Sequence, residues 1–394
     1  MKTLTLPISS FCKTGSGTTP SRNKYDRYFN GSIPWVKSGE LRESIITETD
    51  ENVTEEALAE TSLKIAPKGS VLVAMYGANV GRVGILGIDA TTNQAICYLI
   101  PEKDKADSRY LFHALQQKLP EFISRSVGGA QPNINQQIIR ETKISLPPLE
   151  EQRRIAEILD RAQSLISKRR EAIAQLDILT QAIFIEMFGD PITNPKGWEI
   201  CPIGSFLTDV TNGLTRRRKE SDKGTDIVLR LRDIRAAWID FSDVNRISLV
   251  GKELQRYQVE IGDLLFIRVN GNPDYVGRCA IFDGFTEPVY FNDHIMRVKT
   301  DQSKINGQFC VFVLNGERGK REIASHRKTS AGQHTINQEG LSKINIPLPP
   351  LRLQQEFAHR VEAVEKLKAA HRASLSELDA LFASLQHRAF RGEL

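Results

Sequence analysis

Arginine and lysine residues gather in short stretches of the sequence, and their side chains can neutralise phosphates and hydrogen-bond to guanine edges. One stretch runs from Thr215 to Arg235 and another from Glu317 to Lys328. The net charge of the chain is only +5, so the clustering, rather than the total, points to a nucleic acid. A solvated loop without a ligand would explain either stretch alone equally well.

Motifs for catalysis are missing from the sequence. The run from Gly316 to Lys320 lacks the spacing and the hydroxyl residue of a phosphate-binding loop. The run from Asn272 to Tyr275 approaches the signature of amino-methyltransferases, but aspartate replaces its second proline and no glycine-rich cofactor motif precedes it. The five cysteines form no Cys-x-x-Cys pair and the seven histidines are isolated, which argues against zinc or a disulfide framework. We therefore expect catalysis to reside in another subunit.

The sequence repeats itself once. The tag Leu-Pro-Pro-Leu at residues 146–149, with Gln152 close behind, recurs 202 residues later at 348–351 with Gln354. The same offset relates an upstream set, namely Gln131, Ile134, Asn135, Gln136 and Ile144, to Gln333, Ile336, Asn337, Gln338 and Ile346. Further back, residues 80–82 and 276–278 both read Val-Gly-Arg. A repeat of this length indicates two domains, each with its own core.

The part of each repeat before the tag has the texture of short strands and turns. Apolar, β-branched stretches bounded by Gly, Asn or Asp predict strands at Ser70–Ala74, Ala95–Ile100, Leu264–Val269 and His294–Val298. Glycine and asparagine are dense at residues 76–87 and 270–277, which indicates turns at a strand-rich surface.

A long helix is predicted after each tag. The apolar positions step by four and three residues, as in a heptad seam. The first seam contains Ile155, Leu159, Ala162, Ile166, Arg169, Ile173, Leu176, Thr180, Ile183 and Met187, and the second contains Phe357, Val361, Val364, Lys368, His371, Leu375, Leu378, Phe382, Leu385 and Ala389. Arg169 and His371 hold equivalent polar places, where they either fix the register of the helices or reach out to solvent.

Each such helix would be roughly 60 Å long, and its seam requires a partner helix. The nearest candidate is the other copy, although a helix lying flat on its own domain is the alternative. Antiparallel pairing would place the two domains at opposite ends of a rod with a pseudo-twofold axis. That arrangement suits duplex DNA, in which half-sites one helical turn apart are separated by about 34 Å.

The composition fits a soluble protein with two medium-sized domains. The chain has 394 residues, of which 40% are hydrophobic and 26% charged. No apolar run approaches the ~20 residues of a membrane span, and the amino terminus lacks the apolar core of a signal peptide. We expect the protein to act in the cytoplasm, without a membrane partner.

Several motifs, taken in their order, resemble the specificity subunits of type I restriction-modification systems. They are the tag continued as Leu-Glu-Glu-Gln-Arg-Arg-Ile at 149–155, the run Met-Phe-Gly-Asp-Pro at 187–191, the terminal run at 388–394, and Ile-Pro-Trp-Val-Lys-Ser-Gly-Glu-Leu at 33–41. The resemblance covers essentially the whole chain, and the order and duplication of the motifs make it specific.

The resemblance implies an α+β fold with two repeated target recognition domains, separated by two long antiparallel helices that form a coiled-coil spacer with pseudo-twofold symmetry. Residues 1–147 and 191–349 would be the recognition domains, each reading one half of a bipartite, asymmetric site in double-stranded DNA. Residues 148–190 and 350–394 would be the helices, serving as a spacer and as the docking surface for two methyltransferase subunits.

The same resemblance implies a non-catalytic subunit of a DNA methyltransferase and restriction endonuclease complex. Restriction (translocase) subunits would join for cleavage. No cofactor is expected in this chain, because S-adenosylmethionine would belong to the partner methylase, and ATP and magnesium to the partner nuclease.

The candidates for DNA contact are basic and amide side chains of the turns and charged stretches, since asparagine can pair bidentately with adenine. They are Arg22, Lys24, Lys37, Arg42, Asn79 and Arg82 in the first unit, and Arg216, Arg217, Arg218, Arg230, Arg232, Arg268, Asn270, Asn272 and Arg278 in the second. The sequence does not separate base contacts from phosphate contacts. Arg82 and Arg278 hold matching places, and their alternative role is to satisfy nearby carbonyl groups.

The second repeat lacks an evident counterpart to Pro34-Trp35, because Ile227–Asp233 occupies that place. We therefore expect the two domains to read different bases. Two other classes of protein remain open at this point. A stand-alone, two-headed DNA-binding regulator would bind without a methyltransferase, and a coiled-coil adaptor would not bind DNA at all.

Overall fold

A computed structural model describes residues 4–126, 133–215, 224–330 and 332–394 of the chain. It divides into two compact units. The first contains Met1–Glu171 and Arg372–Leu394, and the second contains Ala172–His371. Each unit therefore holds one sequence repeat together with a part of each long helix. No helix in the described ranges combines the length and apolar character needed to cross a membrane.

The first unit is built from short strands that precede one long helix. Its strands are β1 Leu4–Pro7, β2 Cys12–Ser16, β3 Phe29–Val36, β4 Ile45–Ile46, β5 Glu51–Val53, β6 Val71–Ala74, β7 Val83–Leu86, β8 Thr91–Thr92, β9 Ile96–Pro101 and β10 Lys143–Leu146. Its helices are α1 Tyr25–Tyr28, α2 Glu55–Glu60, α3 Ser108–Gln117, α4 Leu119–Ser124 and α5 Gln136–Glu141, and α6 Leu149–Phe188 begins in it.

The second unit has the same composition of elements. Its strands are β11 Glu199–Pro202, β12 Leu207–Asn212, β13 Asp226–Leu229, β14 Arg246–Ile247, β15 Leu264–Ile267, β16 Val269–Asn270, β17 Cys279–Ile281, β18 Val289–Phe291, β19 Ile295–Thr300, β20 Lys328–Ser330, β21 Gln333–Thr335 and β22 Asn345–Leu348. Its helices are α7 Lys252–Arg256, α8 Gly307–Asn315, α9 Glu317–His326 and α10 Gln338–Ser342, and α11 Leu351–Ala389 begins in it.

Sheet topology shows that the sequence repeat is a structural repeat. The main sheet of the first unit has the order β2-β9-β6-β7-β4, and that of the second has the matching order β12-β19-β15-β17. A smaller sheet pairs β3 with β8 in parallel, as β13 pairs with β18. The first and last strands of each repeat pair antiparallel, β1 with β10 and β11 with β22. The mixed α/β fold class and the four predicted strands are confirmed, and no strand end differs from its prediction by more than two residues.

Each unit buries an apolar core between its main sheet, one shorter helix and the start of one long helix. These helices are α3 and α6 in the first unit, and α8 and α11 in the second. In the first unit, Tyr110 and Leu111 of α3 and Ile155 and Leu159 of α6 belong to one buried cluster. In the second, Phe309 of α8 packs with residues of α11 such as Phe357 and Val361. The first turns of each long helix are therefore part of a domain core. Fully burying one such side chain contributes about 1.5 to 3 kcal/mol to stability.

The long helices pack antiparallel within each unit. In the first unit, Arg154 Nη2 donates to the Leu394 carbonyl oxygen at 2.7 Å, and Arg170 Nη2 lies 3.4 Å from Asp379 Oδ1, so one number rises as the other falls. In the second unit, Lys368 Nζ lies 2.7 Å from Asp177 Oδ1. Further along the same pair, the rings of Phe188 and Phe357 are 5.5 Å apart.

The predicted seam residues are all buried or half-buried, including the half-buried Arg169 and His371. The prediction missed Phe184 and Phe188, which are 2% and 3% exposed. From Thr180 onwards the buried face advances in steps of four residues rather than alternating four and three. A straight helix drifts by about 20° per heptad against an ideal 3.5-residue repeat, which brings this neighbouring column inward.

Candidate nucleic-acid interface

A tight turn presents an arginine at the same place in both units. Gly81 (φ 78°) and Gly277 (φ 83°) adopt the left-handed conformation, which glycine reaches without a steric penalty. The residue after each glycine is Arg82 or Arg278, and its carbonyl oxygen accepts a 2.9 Å bond from the preceding strand in both units. Backbone hydrogen bonds and the glycine conformation thus fix the turn in both units, and they do not involve the arginine side chain.

These two arginines form no ion pair with any residue in the described ranges. Arg82 is exposed. The Arg278 guanidinium lies 4.2 Å from the ring centroid of Tyr275, a cation–π contact that orients the side chain and keeps its charge. The alternative role, in which these arginines satisfy carbonyl groups, has no support in their side-chain contacts.

A carboxylate binds two of the candidate cations in the first unit. Arg22 donates to both oxygens of Glu51, at 2.8 and 3.2 Å, and Lys37 Nζ donates to the same carboxylate at 3.0 Å. The hydrogen bond from Arg22 lowers the pKa of Glu51, and the bond to Glu51 raises the pKa of Lys37. The guanidinium of Arg22 also lies 4.4 Å from the ring of Phe29, so the cluster is held from two sides.

The second unit contains a similar cluster. Arg230 donates to Asp233 through Nε and Nη2, both at 3.0 Å, and its Nη2 lies 3.8 Å from Asp243 Oδ2. Arg232 also bonds to Asp243. Asp233 is 5% exposed, so Arg230 is anchored to a buried carboxylate.

Lys37 and Arg230 occupy the same position in the two units. Each follows a strand paired in parallel with its neighbour, and each begins a short turn closed by a reciprocal bond between its backbone N–H and an acid three residues later. These bonds are Lys37 N to Glu40 Oε2 at 2.6 Å and Arg230 N to Asp233 Oδ2 at 2.8 Å. The structure therefore supplies the counterpart that the second repeat lacked in sequence, with Val228 standing where the first unit has Trp35.

A short strap leads from each of these positions to the arginine turn. It ends at Glu43 (φ 57°) in the first unit and at Ala237 (φ 77°) in the second. Their backbone N–H groups donate to Val83 at 3.1 Å and to Cys279 at 3.0 Å, the residues that follow Arg82 and Arg278. Left-handed conformations cost a non-glycine residue roughly 1 to 2 kcal/mol, and such strain gathers at functional sites.

The three candidate asparagines carry out structural tasks. Asn270 Oδ1 accepts from the backbone N–H of Asn272 at 2.8 Å, and Asn272 Oδ1 accepts from Asp274 at 2.9 Å. The backbone oxygen of Asn79 accepts from Arg82 N at 2.9 Å. Both loop amides of the second unit therefore use their oxygen to hold the turn, which leaves their amino groups as the remaining donors.

The other candidates differ in their surroundings. Arg268 is half-buried and donates from Nη1 to the Asp293 carbonyl oxygen at 3.0 Å. Lys24 Nζ lies 3.4 Å from the Tyr28 hydroxyl. Arg42 is exposed and lies next to the backbone bond between Glu43 and Val83. The candidates Arg216, Arg217 and Arg218 lie outside the described residues.

Much of the basic stretch after Glu317 is committed to the fold. Arg318 donates to the carbonyl oxygens of Asn345 at 3.2 Å and Pro191 at 3.0 Å, and Arg327 donates to that of Pro273 at 2.9 Å. Arg321 pairs with Glu317 one helical turn earlier. This stretch is therefore partly structural, and its charge is less available to a ligand than its sequence indicates.

Metal and thiol chemistry find no site in the part of the chain that the structure describes. No cluster of histidine, cysteine, aspartate and glutamate there could hold a metal ion. All five cysteines are free, and burial raises the pKa of Cys12, Cys97 and Cys310 to about 12, which suppresses the reactive thiolate. The residues that sequence reasoning missed are the acids Glu51, Asp233 and Asp243, because only the fold brings them to the arginines.

The family model for the type I restriction modification DNA specificity domain matches residues 5–176 and 195–380. The StySPI specificity subunit of a Salmonella potsdam type I restriction enzyme is 27% identical, over 99% of this chain and 89% of that protein. The EcoKI specificity subunit of Escherichia coli K12 is 24% identical, over 98% and 88%. Both relatives span nearly the whole length of the chain.

Solved structures show the same fold. The S subunit of a type I restriction-modification system from M. genitalium aligns with a TM-score of 0.63 at 13% identity, covering 99% of this chain and 96% of that one. A chain solved in work on complex assembly and conformational transition of the type I R-M system aligns with a TM-score of 0.54 at 18% identity, over 100% and 98%. With two matched copies of the domain and a repeat visible in sequence and sheet order, the chain belongs to the type I restriction modification DNA specificity family.

Proposed function

We propose that each of the two domains reads one half of a bipartite, asymmetric site in double-stranded DNA. The observation that carries the proposal is the pairing of a common frame with different side chains. Both units present an arginine turn and a cation bound by a carboxylate at matching backbone positions, but this cation is Lys37 in one unit and Arg230 in the other. Equivalent frames with different donors suit two different half-sites.

We further propose that the chain is non-catalytic and directs partner enzymes. The type I enzymes of the named relatives support methyltransferase and restriction subunits as partners. S-adenosylmethionine would then bind to the methyltransferase, and ATP and magnesium to the restriction subunit. The long helices would act as a spacer between the half-sites and as the docking surface for two methyltransferase subunits. Because the ligand is DNA, we propose that the protein acts in the cytoplasm.

Sequencing that detects methylated bases in single DNA molecules tests the proposal directly. Cells expressing this chain with its cognate methyltransferase should acquire adenine methylation at a new bipartite motif that has two defined halves and an unread gap. Cells expressing the methyltransferase alone provide the control. A methylome without a new motif would contradict the proposal.

DNA-binding measurements on the purified chain, alone and in complex with its methyltransferase, separate the alternative functions. A stand-alone regulator would bind its DNA site tightly without the methyltransferase. An adaptor would fail to bind DNA even in the reconstituted complex. We expect the complex to bind the motif, and to bind it more tightly than the chain alone.

A further inference from the structure

Seven basic side chains of the candidate interface fall into two groups according to whether a carboxylate holds them. The clamped group consists of Arg22, Lys37, Arg230 and Arg232, each within hydrogen-bonding distance of an acid. The free group consists of Arg42, Arg82 and Arg278, whose side chains form neither an ion pair nor a hydrogen bond within the described ranges. Lys24 and Arg268 belong to neither group, because they bond to the Tyr28 hydroxyl and to the Asp293 carbonyl oxygen. The two groups occur in both units.

Charge differs between the groups. Arg22 and Lys37 share Glu51, and Lys37 Nζ also lies 3.4 Å from Asp50, so two cations face two carboxylates. In the second unit, the two clamped arginines face Asp233 and Asp243, again two cations and two acids. Such clusters have little net charge, so they attract phosphate weakly. No acid offsets the positive charge of the free arginines, which suits neutralisation of phosphate and release of counterions.

The clamped cations nevertheless keep donors for a ligand. Lys37 Nζ uses two of its three N–H groups on Glu51 and Asp50. Arg230 uses Nε and Nη2 on its acids, and its Nη1 has no bond to a described residue. A donor that is held in a fixed position, in a cluster of little net charge, is suited to a directional hydrogen bond with an acceptor on a base edge, such as guanine O6 or N7. It is less suited to the long-range attraction of phosphates.

The strap fixes the clamped position relative to the free one. In each unit it runs from the clamped cation to a left-handed residue whose N–H donates next to Arg82 or Arg278. A base reader and a phosphate holder are thereby joined by a few residues of constrained backbone. Phosphate contacts set the register of a protein on duplex DNA, and base contacts give the sequence information.

We propose that Lys37 and Arg230, each clamped by carboxylates, are the matching specificity-determining residues of the two domains, and that Arg82 and Arg278 hold phosphates. This inference rests on the proposed function. It deepens that function by assigning base and phosphate contacts that the sequence leaves undivided.

Two measurements on the reconstituted methyltransferase complex test the division. Methylome sequencing gives the motif, and binding to a duplex carrying the motif over a series of NaCl concentrations gives the salt slope. Lys37→Gln should relax or change one base in one half of the motif, and Arg230→Gln should do so in the other half. Arg82→Gln and Arg278→Gln should leave the motif intact and reduce the salt slope by about 0.9, the value for one lost phosphate contact.

Neutralising the clamp gives a second test that does not depend on losing a cation. Glu51→Gln and Asp243→Asn leave every basic side chain in place but add one net positive charge to the cluster. Each should relax the motif in its own half and also steepen the salt slope, whereas a merely structural role for the acids would leave the slope unchanged. Equal thermal midpoints for variants and wild type exclude a folding defect.

The outcomes separate this inference from the proposed function. A wild-type complex that marks no bipartite motif overturns both. A wild-type motif that Lys37→Gln and Arg230→Gln leave unchanged at every base overturns only the inference. A change of base preference in Arg278→Gln, with an unchanged salt slope, also overturns it.

Discussion

Gln152 and Gln354 make the same hydrogen bonds in two different domains. Gln152 Oε1 accepts from the backbone N–H of Asp107 at 3.0 Å, and its Nε2 donates to the Pro147 carbonyl oxygen at 2.9 Å. Gln354 repeats both contacts with the residues at matching places, at 2.9 and 2.8 Å. Gln152 thus ties the first turn of α6 to the start of α3, and Gln354 ties the first turn of α11 to the start of α8. This explains why a glutamine accompanies the repeated Pro-Pro tag.

Replacing this glutamine should destabilise its unit. Gln354 is fully buried, so Gln354→Ala leaves a backbone N–H and a carbonyl oxygen without partners. We expect a loss of about 2 to 4 kcal/mol in the free energy of unfolding, measured by urea denaturation. The neighbouring Gln355 is exposed, and Gln355→Ala should change stability by less than about 0.5 kcal/mol. Equal effects of the two variants would contradict a role for the buried hydrogen bonds.

Phe184, near the carboxy-terminal end of α6, should contribute even more to stability. The ring of Phe184 lies 4.8 Å from Phe312 and 5.5 Å from Phe357, and the side chain is 2% exposed. Phe184→Ala should reduce the free energy of unfolding by about 3 to 5 kcal/mol, since it removes apolar contacts and leaves a cavity. Ile185 is 49% exposed, so Ile185→Ala provides a control that should cost less than about 1 kcal/mol.

The sequence repeat predicted the architecture well because it acts through backbone features. Asn135 and Asn337 recur since each caps a helix, accepting a 2.8 Å bond from the backbone N–H three residues later. Gly81 and Gly277 recur since each turn needs a left-handed residue. Such positions tolerate few residue types, so their spacing survives in the sequence when the side chains around them diverge.

Side-chain partners at the interface could not be predicted in the same way. The bond from Lys37 to Glu51 spans 14 residues, and the contacts from Arg230 to the carbonyl oxygen and the carboxylate of Asp243 span 13, so neither follows the short period of a helix or a strand. The repeat also hides differences in packing. His113 bonds to Asp160 at 2.8 Å at the place where the second unit stacks Phe312 on Phe184. His113 and Phe312 hold matching places in α3 and α8, but only the fold shows that their partners differ.

Stability should fall at alkaline pH because buried thiols resist ionisation. Burial raises the pKa of Cys310 from 9.0 to about 12. Between these values the folded state holds the Cys310 proton that the unfolded state has lost. The contribution of Cys310 to the free energy of unfolding is therefore constant below about pH 9 and falls as the pH rises towards 12. Urea denaturation at pH 9 and 11 should show that Cys310→Ala removes about 2 kcal/mol of this fall. Cys201 is half-exposed, and Cys201→Ala should remove much less.

The helices give the sharpest prediction about the DNA site itself. Inserting one heptad after Arg169 and another after His371 preserves both seams, because these residues hold matching positions in the heptads. Seven residues lengthen a helix by about 10 Å, which corresponds to roughly three base pairs at 3.4 Å each. Methylome sequencing should then find the same two half-sequences, separated by a gap about three base pairs longer.

A heptad inserted into only one helix serves as the control for that experiment. It leaves the two seams unequal in length, so the helices cannot pair along their whole extent, and we expect methylation of the motif to be lost. If the doubly lengthened protein instead methylated sites with the original gap, the helices would not set the distance between the half-sites. Because the half-sequences are read by residues far along the chain from both insertions, a change in gap with unchanged halves would separate the spacer from the recognition domains.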